Sequence, residues 1–418
     1  MYQVSDSAAL GRAFARDGAT PAVRRTVILL GLTSLLTDIS SEMVATILPL
    51  YLVAVGGFSP LAFGVIDGIY NGATAFVRLA SGYLGDRFKR HKEVAATGYG
   101  VSAACKLALV LVGTAVSSIA AVVLIDRFGK GIRTAPRDAM ISLATPKDQL
   151  GIAFGVHRAM DTVGAMIGPL LAFVVLAIAP FAFDSLFLVS FCIAIVGFAI
   201  LVLFVNGRDR APGAVAPARE PSLRGAGALL KVPRFRAVLA AGTVLSLATA
   251  SDAFIFLALQ ERLDLGTSLF PLLFVGSAGT FMVLAIPFGR LADRIGRGPV
   301  FLGGYALLLA TYVVVLLPLG GWVVLAGALG LLGAYYAATD GVLMALGSAV
   351  VPDEVRGSGL ALLGSATSVA RLLASVAFGA LWTAFGIGQA FVWFGVALVA
   401  AGLLAAVVLL RIPEPADA

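Results

Sequence analysis

Unbroken apolar runs as long as a membrane is thick recur along the whole chain, and residues 390–410 form one without a single charged side chain. A hydrocarbon core about 30 Å thick takes roughly 20 apolar residues wound as a helix, and inside it every backbone amide needs an internal partner. A spanning β-barrel would instead show segments of about 10 residues alternating in polarity, which these runs do not. The composition agrees. Of 418 residues, 60% are hydrophobic and 13% charged, against about 25% charged in ordinary soluble domains, which excludes a soluble enzyme.

The pattern predicts an all-α polytopic membrane protein with twelve transmembrane helices, near 26–53, 60–84, 94–114, 117–136, 151–178, 184–205, 237–261, 269–289, 299–317, 321–345, 357–383 and 389–410. Residues 1–25 read as a cytoplasmic N-terminal tail that does not resemble a cleavable signal, and 411–418 as a cytoplasmic C-terminal tail. Residues 206–236 hold seven basic residues, two acidic ones and four prolines, and read as a flexible cytoplasmic linker between six-helix bundles at 26–205 and 237–410. A docking role for that linker is the alternative.

The net charge of +7 could point to nucleic acid, but its distribution argues otherwise. Arg78, Lys106, Arg127, Lys130, Arg158 and Arg371 are assigned to spans and Arg262 to the far side; the rest fall in tails and loops of one side. The positive-inside rule makes that side the cytoplasm, with both termini in it and anionic lipid as the partner of the basic loops. A bacterial-type inner membrane and a monomer are expected. Cys105 and Cys192 stand 87 positions apart in apolar runs, and His91 and His157 lie too far apart in sequence to suggest a metal site, so no disulfide, metal site or cofactor is expected. Gly129-Lys130-Gly131 lacks the remainder of a phosphate-binding loop, so no ATP engine is encoded.

The two halves repeat. Gly82-Tyr-Leu-Gly-Asp86-Arg87 matches Gly289-Arg-Leu-Ala-Asp293-Arg294 at an offset of 207, Pro146–Gly151 matches Pro352–Gly357 at 206, and Ser41-Glu42 echoes Ser251-Asp252 at 210. Duplicated helix sets of this kind serve alternating access, with substrate near the midplane.

On these residues the chain resembles the major facilitator superfamily over 26–410. The family loop pattern Gly-x-Leu-x-Asp-Arg-x-Gly-Arg-Arg is met by Gly82, Asp86, Arg87 and Arg90, with Lys89 in place of the glycine, and again by Gly289, Asp293, Arg294, Gly296 and Arg297. The resemblance implies a cytoplasmic latch or gate. In span four the family places Arg, then Gln three residues on, then Gly; here these are Arg127, Lys130 and Gly131, and the resemblance implicates the Arg in proton coupling. Asp126 precedes Lys130 by four residues and is placed to pair with it. The exporters of the family share a span-five glycine pattern met by Gly155, Gly164, Gly168 and Pro169, with Ala172 and Phe173 replacing its last pair, which implies export.

An ionised group within a span costs roughly 2.5–3.5 kcal/mol on insertion scales and so turns toward protein or water. Asp38 and Glu42 lie four apart on one face of span one, with Ser34 and Ser41 nearby. A desolvated carboxylate holds or releases a proton as a cation moves relative to it, so Asp38 facing Arg127 or a cationic substrate is the expected coupling step, a permanent ion pair being the alternative. His157 and Asp161, again four apart and joined by Arg158, are either a proton relay or a structural pair. Asp252 and Arg371 complete the central charges, while Asp67, Asn71, Tyr335, Tyr336 and Asp340 suit a wall against an organic ligand. The function expected is proton-antiport export of small organic compounds; import of an anionic nutrient through an Arg127, Lys130, Arg158 and Arg371 clamp is the alternative. No catalytic residue is expected, and an enzyme or receptor on the same shell is disfavoured.

Overall fold

The structure is a computed structural model that describes residues 25–73, 90–113, 115–146, 149–207, 227, 229–318, 321–352 and 355–410. Every element among them is helical: α1 (Arg25–Leu50, continued by a π-helical turn Tyr51–Val55), α2 (described over 60–73), α3 (His91–Leu111), α4 (Val116–Leu143), α5 (Leu150–Ile178), α6 (Phe183–Phe204), α7 (Pro233–Leu247), α8 (Asp252–Leu263), α9 (Phe270–Ile295), α10 (Arg297–Leu316), α11 (Trp322–Ala349), α12 (Arg356–Phe385) and α13 (Ile387–Leu410). Twelve crossings result, because α7 and α8 together make the seventh, and the fold is a twelve-span, two-bundle membrane architecture.

Ten described segments are long and apolar enough to cross a membrane. The two expected crossings that fall short do so for different reasons: α2 is described only to residue 73, and α4 carries Asp126, Arg127, Lys130, Arg133, Arg137 and Asp138. A helix with six charges survives in such a place only by burying them against partners.

The chain divides into two compact units, one of residues 5–48 and 73–220, the other of 49–72 and 221–418. In the first, α3 packs on α4 and α6. Gly98 and Gly129 meet there, and a Cβ on Gly98 would stand 2.6 Å from the Gly129 carbonyl, so the two backbones approach as closely as small residues allow. Gly164 and Gly168 of α5 lie on the α1 carbonyls of Leu35 and Ile39, with added Cβ atoms at 2.5 and 2.7 Å. In the second unit, α11 packs on α9 and α10, and α7 on α12 and α13. Aromatic rings of Phe63, Phe254, Phe378 and Trp382 tie α2, α8 and α12 together.

Two expectations about these elements are corrected. Span four does not end near 136: Pro136 lies inside α4, which continues to Leu143 and so brings Arg133 and Arg137 onto the helix. Span seven is not continuous: α7 stops at Leu247, and α8 restarts behind Ser251, whose hydroxyl accepts from the Ala253 amide. The break is tolerated because the Tyr312 hydroxyl accepts from the Ala250 amide at 2.7 Å and lies 3.4 Å from the Ala248 carbonyl, replacing partners the helix would have supplied.

Candidate functional site

The glycine crossing of α3 and α4 sets the first group of charges. It places Ser102 and Lys106 opposite Asp126, which accepts from both, at 2.6 and 2.5 Å, and also pairs with Arg127. Asp126 therefore pairs with Lys106 and Arg127, and the expected Asp126–Lys130 pair is replaced. Three charged groups with short contacts and a shared hydroxyl satisfy one another, which suits a lock within the bundle.

The next turns of α4 hold looser pairs. Arg133 is buried, lies over the Tyr99 ring at 4.7 Å, and comes 3.8 Å from Asp38 of α1. Its Nη1 makes no hydrogen bond. Asp38 thus faces Arg133, while Lys130 lies within electrostatic reach of Asp38 and Glu42. One turn further, Arg137 grips Asp138 at 2.9 Å and approaches Asp161 of α5 at 3.8 Å. His157 Nδ1 is 3.6 Å from the same Asp161 oxygen, and its Nε2 lies 3.1 Å from Ser34 Oγ, which also receives Arg137 and touches the Tyr99 hydroxyl. Asp161 Oδ1 makes no hydrogen bond. Arg158 is exposed on α5. Tyr99, Arg133, Arg137 and Asp138 join the group without being among the residues the sequence singles out; the 3–3–4 spacing of Arg127, Lys130, Arg133 and Arg137 is the signal for the arginines, a single helical stripe running past Pro136.

The second unit has its own polar group. Tyr336 donates to Asp252, and Arg371 Nη2 is 3.6 Å from Asp340. Tyr335 is fully buried, its ring 5.4 Å from Tyr305 and 4.7 Å from Tyr336. Asp67 is buried against Ser375 of α12 at 2.7 Å, and the Asn71 amide donates to the Asp67 backbone carbonyl. Tyr305 and Ser375 join the residues that the sequence singled out.

Of the loop motif, Gly82, Asp86 and Arg87 lie outside the described residues, and Arg90 is exposed at the start of α3. In the second copy Asp293 and Arg294 are exposed, and Arg297 donates to the Ala345 carbonyl of α11 at 3.3 Å. Gly296 makes the single-residue turn between α9 and α10 with φ +97°, a conformation glycine adopts freely. Gly289 has open space where a side chain would go, so this copy does not use it for close approach. On α5, Gly155 and Pro169 are buried beside the packed Gly164 and Gly168. Cys105 is buried, Cys192 exposed, and both are free thiols. Among the described residues no three His, Cys, Asp or Glu gather as metal ligands.

The profile of the Major Facilitator Superfamily matches residues 30–284 and 268–418. The chain belongs to the major facilitator superfamily. Its sequence is 30% identical over 368 residues, covering 86% of this chain and 88% of the relative, to an uncharacterized MFS-type transporter of Methanocaldococcus jannaschii. An uncharacterized protein of Mycobacterium tuberculosis matches at 36% over 169 residues, 40% of this chain and 41% of that one. Among solved structures, a nucleoside transporter, NupG, superposes with TM-score 0.75 at 16% identity over 92% of this chain and 100% of the other. A bacterial homolog of the human lysosomal transporter Spinster gives 0.72 at 13%, over 96% and 100%. A peptide transporter, POT, gives 0.72 at 15%, over 92% and 93%. At these identities the likeness concerns the fold. This superfamily member is a multi-pass membrane transporter.

Proposed function

We propose that this transporter exports small organic compounds by alternating access in exchange for protons, from a bacterial-type inner membrane with both termini in the cytoplasm. The observation that carries the reading is the contrast between two kinds of ion pair on α4. Asp126 is saturated by Lys106, Arg127 and Ser102, whereas Asp38–Arg133 and Asp161–Arg137 stand open at 3.8 Å. A carboxylate fully engaged with cations holds its charge through a cycle; one that faces its cation at a distance exchanges that cation for a proton when either moves. Asp38 and Asp161 are the proposed proton carriers, and His157 the group that orients Asp161. Arg127 serves the Asp126 lock. Asp252, Tyr335, Tyr336, Asp340 and Arg371 are the proposed ligand-facing residues of the second unit, aromatic rings beside a few polar groups being the usual make-up of an organic-ligand site. The span-five glycines support the export direction through the family resemblance.

Uptake of an anionic metabolite is the second reading, favoured by the buried Arg133 Nη1 that lacks an acceptor. The two part in proteoliposomes offered labelled nucleosides, dipeptides, amphiphilic organic cations and organic anions, with the pH gradient imposed in either direction. Export requires a cation or neutral solute to move against the proton flow. Uptake requires an anion to move with it, with counterflow lost in Arg133→Gln and Arg371→Ala.

A further inference from the structure

The α2–α12 crossing is built from small residues on both faces. A Cβ on Gly64 would stand 2.5 Å from the Ser375 carbonyl, one on Gly68 2.9 Å from the Leu372 carbonyl, and Gly379 presses on the Pro60 carbonyl. The Leu61 amide donates to Thr383 Oγ1 at 3.0 Å. Into this crossing the chain inserts one carboxyl group, Asp67, which is 8% exposed. Among the described residues no lysine, arginine or histidine forms an ion pair with it. Its side-chain neighbours are Ser375 of α12, Ser251 at the α7–α8 break, and Asn71 on its own helix. The charged group within reach of this place is Asp252 of α8, a like charge, which has Tyr336, Arg371 and Asp340 as its own neighbours; Arg371 pairs with Asp340.

The stereochemistry at Ser375 decides the form Asp67 takes. Its hydroxyl has a single hydrogen and lies at hydrogen-bonding distance from two oxygens, the Gly64 carbonyl at 3.0 Å and Asp67 Oδ2 at 2.7 Å. If Asp67 is ionised, both are acceptors and compete for that hydrogen, leaving one close oxygen pair unbridged. If Asp67 is protonated, it donates to Ser375 Oγ and Ser375 donates to the Gly64 carbonyl, so that one chain of hydrogen bonds runs through all three groups. Both close oxygen pairs are then bridged, and no charge is buried without a cation.

We propose that Asp67 is a proton-binding site, occupied when α2 and α12 are packed as seen here, and that losing the proton releases the two helices from each other. The relay Asp67 to Ser375 to Gly64 fastens the helices with a hydrogen that water supplies. Deprotonation leaves an ion that is stabilised only if the crossing opens and hydrates. This rests on the proposed proton coupling for its use in transport, but the site itself does not.

The test uses the full chain with Cys105→Ala and Cys192→Ser, spin-labelled at the exposed ends of the crossing through Leu61→Cys and Phe385→Cys, with distances read by pulsed EPR across a pH series. Infrared difference spectra of the same protein follow the protonated carboxyl band. The expected result is a short distance at acid pH and a growing long-distance population as pH rises, together with loss of a carboxyl band that is absent in Asp67→Asn. Asp67→Asn, whose amide still donates to Ser375, keeps the short distance at every pH. Ser375→Ala retains the carboxyl but weakens the short-distance population at acid pH. A wild-type distance indifferent to pH, an Asp67→Asn protein that opens like wild type, or an unchanged infrared band in Asp67→Asn overturns the proposal. If the distances shift as expected while vesicle transport ignores the pH gradient, proton coupling fails and the Asp67 site stands.

Discussion

Asp126 and Asp161 are both carboxylates in spans with basic neighbours, yet their settings assign them different work. Asp126 has two cations and a hydroxyl in contact, and stripping one partner from a buried ion group costs about 3–5 kcal/mol because the remainder is left uncompensated. Lys106→Met is therefore expected to lower the thermal unfolding temperature in detergent sharply and to reduce the yield of folded protein. Asp161, with an oxygen that makes no hydrogen bond, a single cation, Arg137, at 3.8 Å and the His157 imidazole at 3.6 Å, has less to lose. Asp161→Asn is expected to unfold within a few degrees of wild type while gradient-driven flux falls at least tenfold; a matched loss of stability and flux would make Asp161 structural. His157 stands between Ser34 and Asp161 and contacts both, as a relay and a structural partner alike would. His157→Gln keeps a group able to bond Ser34, so a changed pH dependence of flux at unchanged stability would mark the relay.

At the scale of elements, the close approaches are set by residues too small to be noticed in a hydropathy profile. Gly164 has α1 backbone against it, and a larger side chain there forces α1 and α5 apart at a cost of typically 1–3 kcal/mol. Gly164→Val should lower thermal stability accordingly and disturb Asp38 with it, since Asp38 rides on the same stretch of α1. Tyr312 serves the broken seventh crossing, where its hydroxyl meets two backbone groups freed by the break. Leaving a buried backbone group unsatisfied costs about 1–3 kcal/mol, so Tyr312→Phe should destabilise by that order, measured by thermal unfolding in detergent. The same mutation at a tyrosine that only packs would be nearly silent.

For the molecule as a whole, the twelve crossings were legible because length and apolarity report directly on the bilayer, and most helix ends fell within a few residues of expectation. What the sequence concealed has physical causes. Pro136 reads as a stop, but a helix held by neighbours tolerates the missing amide, so α4 runs on and carries Arg133 and Arg137 into the protein. The Ser41-Glu42 and Ser251-Asp252 echo suggested equivalent helices, yet α1 continues through its copy while α8 begins at the other. A break depends on a distant side chain, Tyr312, that no local pattern announces. Pairing was also hidden: Asp126 chose Lys106, twenty residues away on α3, over Lys130 one turn along, because the glycine crossing brings α3 nearer than the helix brings its own side chains. The basic loops predict a cytoplasmic face that carries the 206–236 linker. A cysteine at Ser222 should react with an impermeant maleimide only in inverted vesicles, and one at Gly266 only in intact cells.

Proton exchange at Asp38 and Asp161 requires that solute and proton movements be bound to one another. Proteoliposomes loaded with a pH-reporting dye and given an outward gradient of a transported solute, without any imposed pH difference, should show a lumen turning acid as the solute leaves. Asp161→Asn and Asp38→Asn vesicles should show the signal reduced at least tenfold. Solute leaving wild-type vesicles at full rate while the lumen keeps its pH would contradict proton exchange.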